Sequence, residues 1–424
     1  MSYPAYDTYK DSGVEWLGDV PSGWDVIKFN NIYNSRMGAT ILNSDLDEEG
    51  SIPVMSATES SKVFGYVNEA AVILKAGDII IPARGNSIGH VKLVVNPCTS
   101  TQTTILCSNL GKSLPSYIKY YLEGLREVLF YFDQTAIPQI TVELVSSNPI
   151  LLPPEKTQLA IAAFLDEKTA GIDALITKKE NLLERLAEKR AALITQTVTK
   201  GFDPTVPMKP SSIDWLGDVP EAWRITPLRY LGRLQNGISF SSEKYGYGSP
   251  FVSYGDVYKN FELPKNVKGQ LKTSKKEQSA YSVIQGDVFF TRTSETIEEI
   301  AISSVCMSSI IDATFAGFLI RFRPHKDKLH PNFSKFYFRN QDTRKYFVKE
   351  MNLVTRASLN QDLLGGLSVL LPPYSEQQEI GEFLNVQCSK IDKVIKATNE
   401  SIDKYKEYRT ALITNAVTGK IKVV

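Results

Sequence analysis

The feature that most constrains this fold is an internal repeat. All four tryptophans fall in two copies of one motif, Trp16-Leu17-Gly18-Asp19-Val20-Pro21 with Trp24 and Trp215-Leu216-Gly217-Asp218-Val219-Pro220 with Trp223, offset by 199 residues. Residues 151–201 match 370–420 without a gap, at an offset of 219 and with 19 identities in 51 positions. Weaker echoes lie between: Pro53-Val54-Met55-Ser56 with Pro250-Phe251-Val252-Ser253, Gly77–Ile81 with Gly286–Phe290, and Pro115–Leu122 with Pro331–Phe338. The chain therefore reads as entry motif, variable block and helical segment, then the same again. The two blocks share one fold and have diverged in detail.

After Leu151-Leu152-Pro153-Pro154 and Leu370-Leu371-Pro372-Pro373 the apolar pattern takes helical period. Proline fixes the helix entry, and Ser375 with Gln378 has capping-box spacing. From Ile172 the apolar residues Leu175, Ile176, Leu182, Leu183, Leu186 and Leu193 recur every three and four positions, and Ile391, Val394, Ile395, Ile402, Tyr405, Tyr408 and Leu412 form the same kind of stripe, with Lys179, Thr398 and Ser401 as interruptions. Two repeat-related helices with such narrow seams are expected to pack on each other. At about 30 residues each they would span ~45 Å. Residues 201–212 read as a Pro-punctuated linker that turns the chain back and makes the pair antiparallel.

Lys+Arg 48 against Asp+Glu 47 gives a net charge of +1, which withholds the usual electrostatic signature of a nucleic-acid binder without excluding opposed patches. No apolar run reaches membrane-spanning length, the start MSYPAYDTYKDSG lacks signal-peptide regions, and a cytoplasmic location is expected. Four cysteines without a CxxC pair and three histidines give no zinc spacing. Gly111-Lys112-Ser113 imitates the end of a phosphate loop, but Leu106 stands where its first glycine belongs. Asn148-Pro149-Ile150-Leu151 lacks the second proline and the aromatic of an amino-methyltransferase motif, and no GxSxG or HExxH occurs. No active site is expected, and the variable blocks are left with binding.

Gly77–Asn86 and Gly286–Ser294 each read as turn, strand and loop, the loops carrying Arg84 with Asn86 and Arg292 with Thr293 and Ser294. An arginine there is placed to fork onto a guanine edge or a phosphate. Lys119 before Tyr120-Tyr121 and Lys335 before Phe336-Tyr337 mark a second matched basic and aromatic position, for which core aromatics beside an outward lysine is the favoured reading. The polar runs Ser100–Thr104 and Ala357–Gln361 are further candidates to contact bases or to cap turns.

This organisation resembles the specificity subunit of type I restriction-modification systems over nearly the whole chain. The resemblance rests on the duplicated WLGDVP…W motif, on the helix starts (Gln158, Ile161, Phe164, Leu165, Ile172, Asp173; Gln377, Ile380, Phe383, Leu384, Ile391, Asp392), and on the RxALIT ends at Arg190 and Arg409. It implies an α+β chain: two α/β target-recognition domains in pseudo-two-fold arrangement, separated by two long antiparallel helices forming a coiled coil. The expected division is 1–150 (first recognition domain, entry motif 13–24), 151–200 (central spacer), 201–212 (linker), 213–369 (second recognition domain, entry motif 213–223) and 370–424 (C-terminal spacer). It further implies that each domain reads one half of a split double-stranded DNA target, and that modification subunits, expected as two, and restriction subunits are the partners. Catalysis, S-adenosylmethionine, ATP and Mg would belong to those partners, with no cofactor or metal in this chain. The alternative is a duplicated scaffold that joins proteins without reading DNA.

Overall fold

The structure is a computed structural model and describes residues 3–58, 62–131, 139–293, 299–351 and 358–423. It divides into two units, Met1–Glu180 with Asn399–Val424, and Asn181–Thr398. Each unit holds one variable block, part of helix α4 (Glu155–Lys200) and part of helix α10 (Tyr374–Val417).

In the first unit, β4 (Tyr33–Met37), β10 (Thr104–Asn109), β7 (Ile79–Pro82) and β8 (Lys92–Leu93) form an antiparallel sheet in that order. A smaller sheet pairs β5 (Ile52–Met55) antiparallel with β6 (Val63–Val67) and parallel with β9 (Thr99–Ser100). Two ribbons complete the block: β1 (Tyr9–Asp11) with β2 (Asp19–Pro21), and β3 (Asp25–Lys28) with β11 (Pro149–Leu152). The helices α1 (Pro115–Gly124), α2 (Arg126–Leu129) and α3 (Val142–Ser147) lie between β10 and β11 in the chain.

The second unit repeats this strand for strand. Its sheets are β15 (Gly232–Asn236), β21 (Leu319–Pro324), β18 (Val288–Thr291), β19 (Ser303–Val305), and β17 (Gly269–Leu271), β16 (Tyr245–Val252), β20 (Thr314–Phe315). Its ribbons are β12 (Met208–Pro210) with β13 (Asp218–Pro220), and β14 (Arg224–Pro227) with β22 (Ser368–Leu371). Residues 201–212 are thus more than a linker: they carry β12, the counterpart of β1. Among the described residues five short α-helices complete the unit: α5 (Tyr254–Lys259), α6 (Lys275–Ala280), α7 (Pro331–Tyr337), α8 (Gln341–Met351) and α9 (Gln361–Gly366).

The continuous apolar runs Ile79-Ile80-Ile81 and Val288-Phe289-Phe290 have no polar face because both faces of these central strands are covered. The glycines opening these segments, Gly77 (φ 92°) and Gly286 (φ 90°), take the left-handed turn that a side chain resists. The aspartates that follow are buried clasps. Asp78 accepts from Lys75 N–H and Asn109 N–H (both 2.8 Å), and Asp287 holds Arg323 through two 2.6 Å contacts.

A glutamine clamp joins each block to its helix. Gln158, only 4% exposed, accepts from Leu114 N–H (2.9 Å) just before α1 and donates to Pro153 O (2.8 Å). Gln377, 2% exposed, accepts from His330 N–H (2.8 Å) just before α7 and donates to Pro372 O (3.0 Å) and Lys328 O (3.2 Å). Tyr117 donates to Leu151 O (2.7 Å), and Tyr337 accepts from Leu370 N–H (2.8 Å). The capping box expected at Ser375 and Gln378 does not form, because the helix begins at Tyr374 and the Gln378 amide goes to Glu382 (2.9 Å).

The helices run 46 and 44 residues, beyond the expected 30. Ahead of the seam the helices bury Ile161 with Leu165, and Ile380 with Leu384; Leu165 and Leu384 continue its spacing through Thr169 and Cys388, whereas Ile161 and Ile380 leave it. In the first unit Arg409 pairs with Asp173 (2.9 Å) and Glu123 (2.7 Å), and Lys179 lies over the Tyr405 ring at 5.7 Å. As the chain advances along α4 its partners recede along α10, so the helices are antiparallel. In the second unit Arg190 pairs with Asp392 (2.9 Å), the repeat-equivalent of the Arg409–Asp173 pair.

The seam itself alternates steps of four and three residues: Ile172, Ile176, Lys179, Leu183, Leu186, Arg190 and Leu193, matched by Ile391, Ile395, Thr398, Ile402, Tyr405, Arg409 and Leu412. Ile172, Leu186, Leu193, Ile391, Ile395, Ile402 and Leu412 stand on this seam. Leu175 and Leu182 do not: each is 42% exposed, because the seam passes through their neighbours Ile176 and Leu183. Lys179 and Thr398 are polar residues at seam positions.

Candidate nucleic-acid interface

At one edge of each block four segments meet on a shared backbone frame. In the first block Gly38 N–H donates to Thr104 O (2.9 Å), Ala39 bridges Thr101, Ala83 N–H donates to Thr103 O (2.9 Å), and Ile140 N–H donates to Ala83 O (3.0 Å). The second block repeats each link. Gly237 N–H donates to Leu319 O (3.1 Å), Ile238 bridges Ala316, Arg292 N–H donates to Phe318 O (2.9 Å), and Leu359 N–H donates to Arg292 O (2.8 Å). Gly38 and Gly237 allow the approach, since a Cβ on either would collide with the carbonyl of Thr101 or Ala316.

The side chains on this common frame differ. The first rim presents Thr40, Gln102, Arg84 and Gln139, all exposed. Thr40 Oγ1 donates to Gln102 Oε1 (2.8 Å), and Arg84 Nε donates to Gln139 Oε1 (3.0 Å). The second rim presents Ser239, Phe318 and Ser358, with Thr293 half-buried; Phe318 occupies the Thr103 position and is 62% exposed.

The frame corrects the expectation that Arg84 and Arg292 are equivalent. Arg292 aligns with buried Ala83, and Arg84 aligns with Thr293, which bridges Ser358 as Arg84 bridges Gln139. One residue of offset sends the two side chains to opposite faces. Arg84 and Asn86 are exposed, whereas Arg292 is half-buried, its Nε enclosed and unpaired among the described residues. Ser294 lies outside the described residues.

Lys119 and Lys335 stand at the junction of block and helix. Lys119 sits 3.9 Å from Glu123 in a cleft of about 410 Å³ that also contains Arg126 and Arg409. Lys335 is 7% exposed and paired with Glu262, which corrects the expectation of an outward, DNA-facing lysine. Arg321 and Arg339 are likewise internal; burial pushes both guanidinium groups down to about 10, and each donates to backbone carbonyls, Arg321 to Ser282 O and Arg339 to Val257 O and Asn260 O. Among the described residues no group of three or more His, Cys, Asp or Glu side chains could hold a metal. No described helix is long and apolar enough to cross a membrane.

A family model described as the type I restriction modification DNA specificity domain matches the chain twice, over residues 21–185 and 220–404. The chain belongs to this specificity family. Two curated relatives come from Methanocaldococcus jannaschii. The type I restriction enzyme MjaVIII specificity subunit is 21% identical over 95% of this chain and 94% of its own length. The MjaX specificity subunit, described there as putative, is 27% identical over 44% of each. The EcoKI specificity subunit of Escherichia coli is 24% identical over 64% of this chain and 57% of its own length. The chain thus spans under two thirds of two of these three relatives.

Solved structures share the specificity-family fold. One, described as the structural basis underlying complex assembly and conformational transition of the type I R-M system, matches at TM-score 0.65 and 17% identity, covering 94% of this chain and 98% of that one. The HsdS subunit of Thermoanaerobacter tengcongensis matches at 0.50 and 15%, covering 95% and 98%.

Proposed function

We propose that this chain is the sequence-reading subunit of a type I restriction-modification complex, acting in the cytoplasm. Each recognition block binds one half of an asymmetric, bipartite duplex target. The chain supplies address rather than chemistry: two modification subunits carry S-adenosylmethionine for adenine methylation, and restriction subunits carry ATP and Mg for cleavage. The observation that carries this reading is the pair of blocks with one backbone frame and two different rims, which suits two half-sites of different sequence.

The test is single-molecule sequencing of methylated adenines in cells expressing the chain with its modification subunit. One bipartite motif is expected, and exchanging residues 25–148 for another block should change one half of it. Methylated sites that follow no bipartite motif, or that survive the exchange unchanged, would overturn the reading.

A further inference from the structure

We infer that the two rims are the base-reading surfaces, and that they read by different chemistry: Arg84 and Gln102 by hydrogen bonds to purine edges in one half-site, Phe318 by apolar contact with a thymine methyl in the other. The inference rests on the proposed function and adds the residues that would carry specificity.

The first rim is prepared for hydrogen-bond readout. Arg84 spends its Nε on Gln139 Oε1, which fixes the plane of the guanidinium and leaves both Nη groups of this exposed side chain as donors without a partner among the described residues. That is the fork that matches guanine O6 and N7. Gln102 receives Thr40 Oγ1 on its Oε1, which retains a second lone pair, and its Nε2 remains a donor. An amide held by a neighbour in this way offers the donor and acceptor pair that adenine N6 and N7 require.

The second rim has the same backbone links and neither of these groups. Gly317 stands at the position of Gln102, Thr293 at that of Arg84, and Phe318 projects at 62% exposure between exposed Ser239 and Ser358. An aromatic ring held outward by a paired backbone, Arg292 N–H to Phe318 O at 2.9 Å, suits a methyl group on a major-groove edge. A phosphate-gripping surface would instead present lysine or arginine.

The experiment uses the full chain with its modification subunit and reads the methylated motif for Arg84→Ala, Gln102→Ala and Phe318→Ala. Ile311→Ser and Val95→Ser, at positions 84% and 73% exposed outside the rims, are the controls. Arg84→Ala and Gln102→Ala should relax one or two base positions of a single half-site, with discrimination falling about ten-fold or more at each. Phe318→Ala should relax only the other half-site, and the controls should leave both intact. All of these residues are exposed, and a melting temperature within a few degrees of the parent's verifies folding. A motif that stays sharp in both halves after all three substitutions would overturn the inference while leaving the bipartite function standing. So would relaxation of both halves by one substitution, or an equal effect of the controls. If the parent itself showed no bipartite motif, the failure would lie with the function.

Discussion

Replacing Gln158 with methionine keeps the volume of a buried side chain and removes both of its hydrogen bonds. Pro153 O is enclosed and would lose its partner outright, at about 1–3 kcal/mol; Leu114 N–H is only half-buried and recovers part of its loss from water. Together these give about 2–3 kcal/mol, lost from the contact between α1 and the start of α4. The effect belongs on local opening rather than on one melting transition, since a chain of two units need not unfold in a single step. Amide hydrogen exchange across Tyr117–Leu122 should accelerate roughly 30- to 150-fold, because each 1.4 kcal/mol is a factor of ten. Exchange across Phe333–Phe338, in the other unit, should not change. Gln158→Glu adds a second reading: it retains an acceptor for Leu114 but turns a carboxylate toward Pro153 O. It should be at least as damaging at pH 7 and recover toward pH 4, where a protonated carboxyl donates again. If only the Leu114 amide accelerated, or if both units loosened equally, the glutamine would be no clamp.

Lys335→Met should leave target binding unchanged and stability unchanged or improved, since a buried ammonium is replaced by a packed apolar chain; Glu262→Ala should destabilise by stranding that charge, and duplex binding with thermal melts distinguishes the two. His330 titrates below its ordinary value because burial disfavours the imidazolium, and its Nδ1 is enclosed without a partner among the described residues. A depressed folded value means that its contribution is present above the unfolded pKa of about 6.5 and is lost as pH falls below it. Urea midpoints should therefore drop between pH 7 and 5, and more steeply than in His330→Phe, which keeps a ring against Tyr374; equal slopes would refute this. Leu182→Glu should be nearly neutral, whereas Leu183→Glu should cost a few kcal/mol, read by thermal melts; the reverse order would place the helix seam one residue away.

The sequence made the repeat, its antiparallel helices and the block-helix order legible because each leaves a residue-level trace: paired tryptophans, paired prolines, heptad spacing. The helix lengths are underestimated when the stripe is counted from Ile172 and Ile391: Leu165 and Leu384 continue its spacing one heptad earlier, while Ile161 and Ile380 leave it. Leu175 and Leu182 misled because apolar doublets, Leu175-Ile176 and Leu182-Leu183, fit two registers equally well. Matching seam positions through the repeat would have chosen the right one, since Ile176 pairs with Ile395 and Leu183 with Ile402 at the common offset of 219. Arg84 and Arg292 looked equivalent because both follow a glycine-aspartate strand, and only the hydrogen bonds to Thr103 and Phe318 reveal the one-residue difference. Gln102 stood within the polar run Ser100–Thr104, whereas Phe318 left only the repeated glycines Gly38 and Gly237 as a signal, and nothing in sequence shows which loop those glycines admit.

On the proposed function, the frame also explains how such a chain could change what it reads without losing its fold. The links that build each rim run between backbone groups and do not depend on the side chains at Arg84, Gln102, Thr293 or Phe318. Substitution at an exposed position such as Arg84, Gln102 or Phe318 typically shifts stability by no more than about 0.5 kcal/mol. One base contact is worth about 1–3 kcal/mol of discrimination. Recognition is therefore more sensitive than stability at the same residue, and the rim can diverge freely. The reverse holds at the glutamine clamps and the buried aspartates, where changing a side chain strands polar groups in the interior. That contrast accounts for the pattern in the chain itself, with the two copies alike where block meets helix and unlike along the rims.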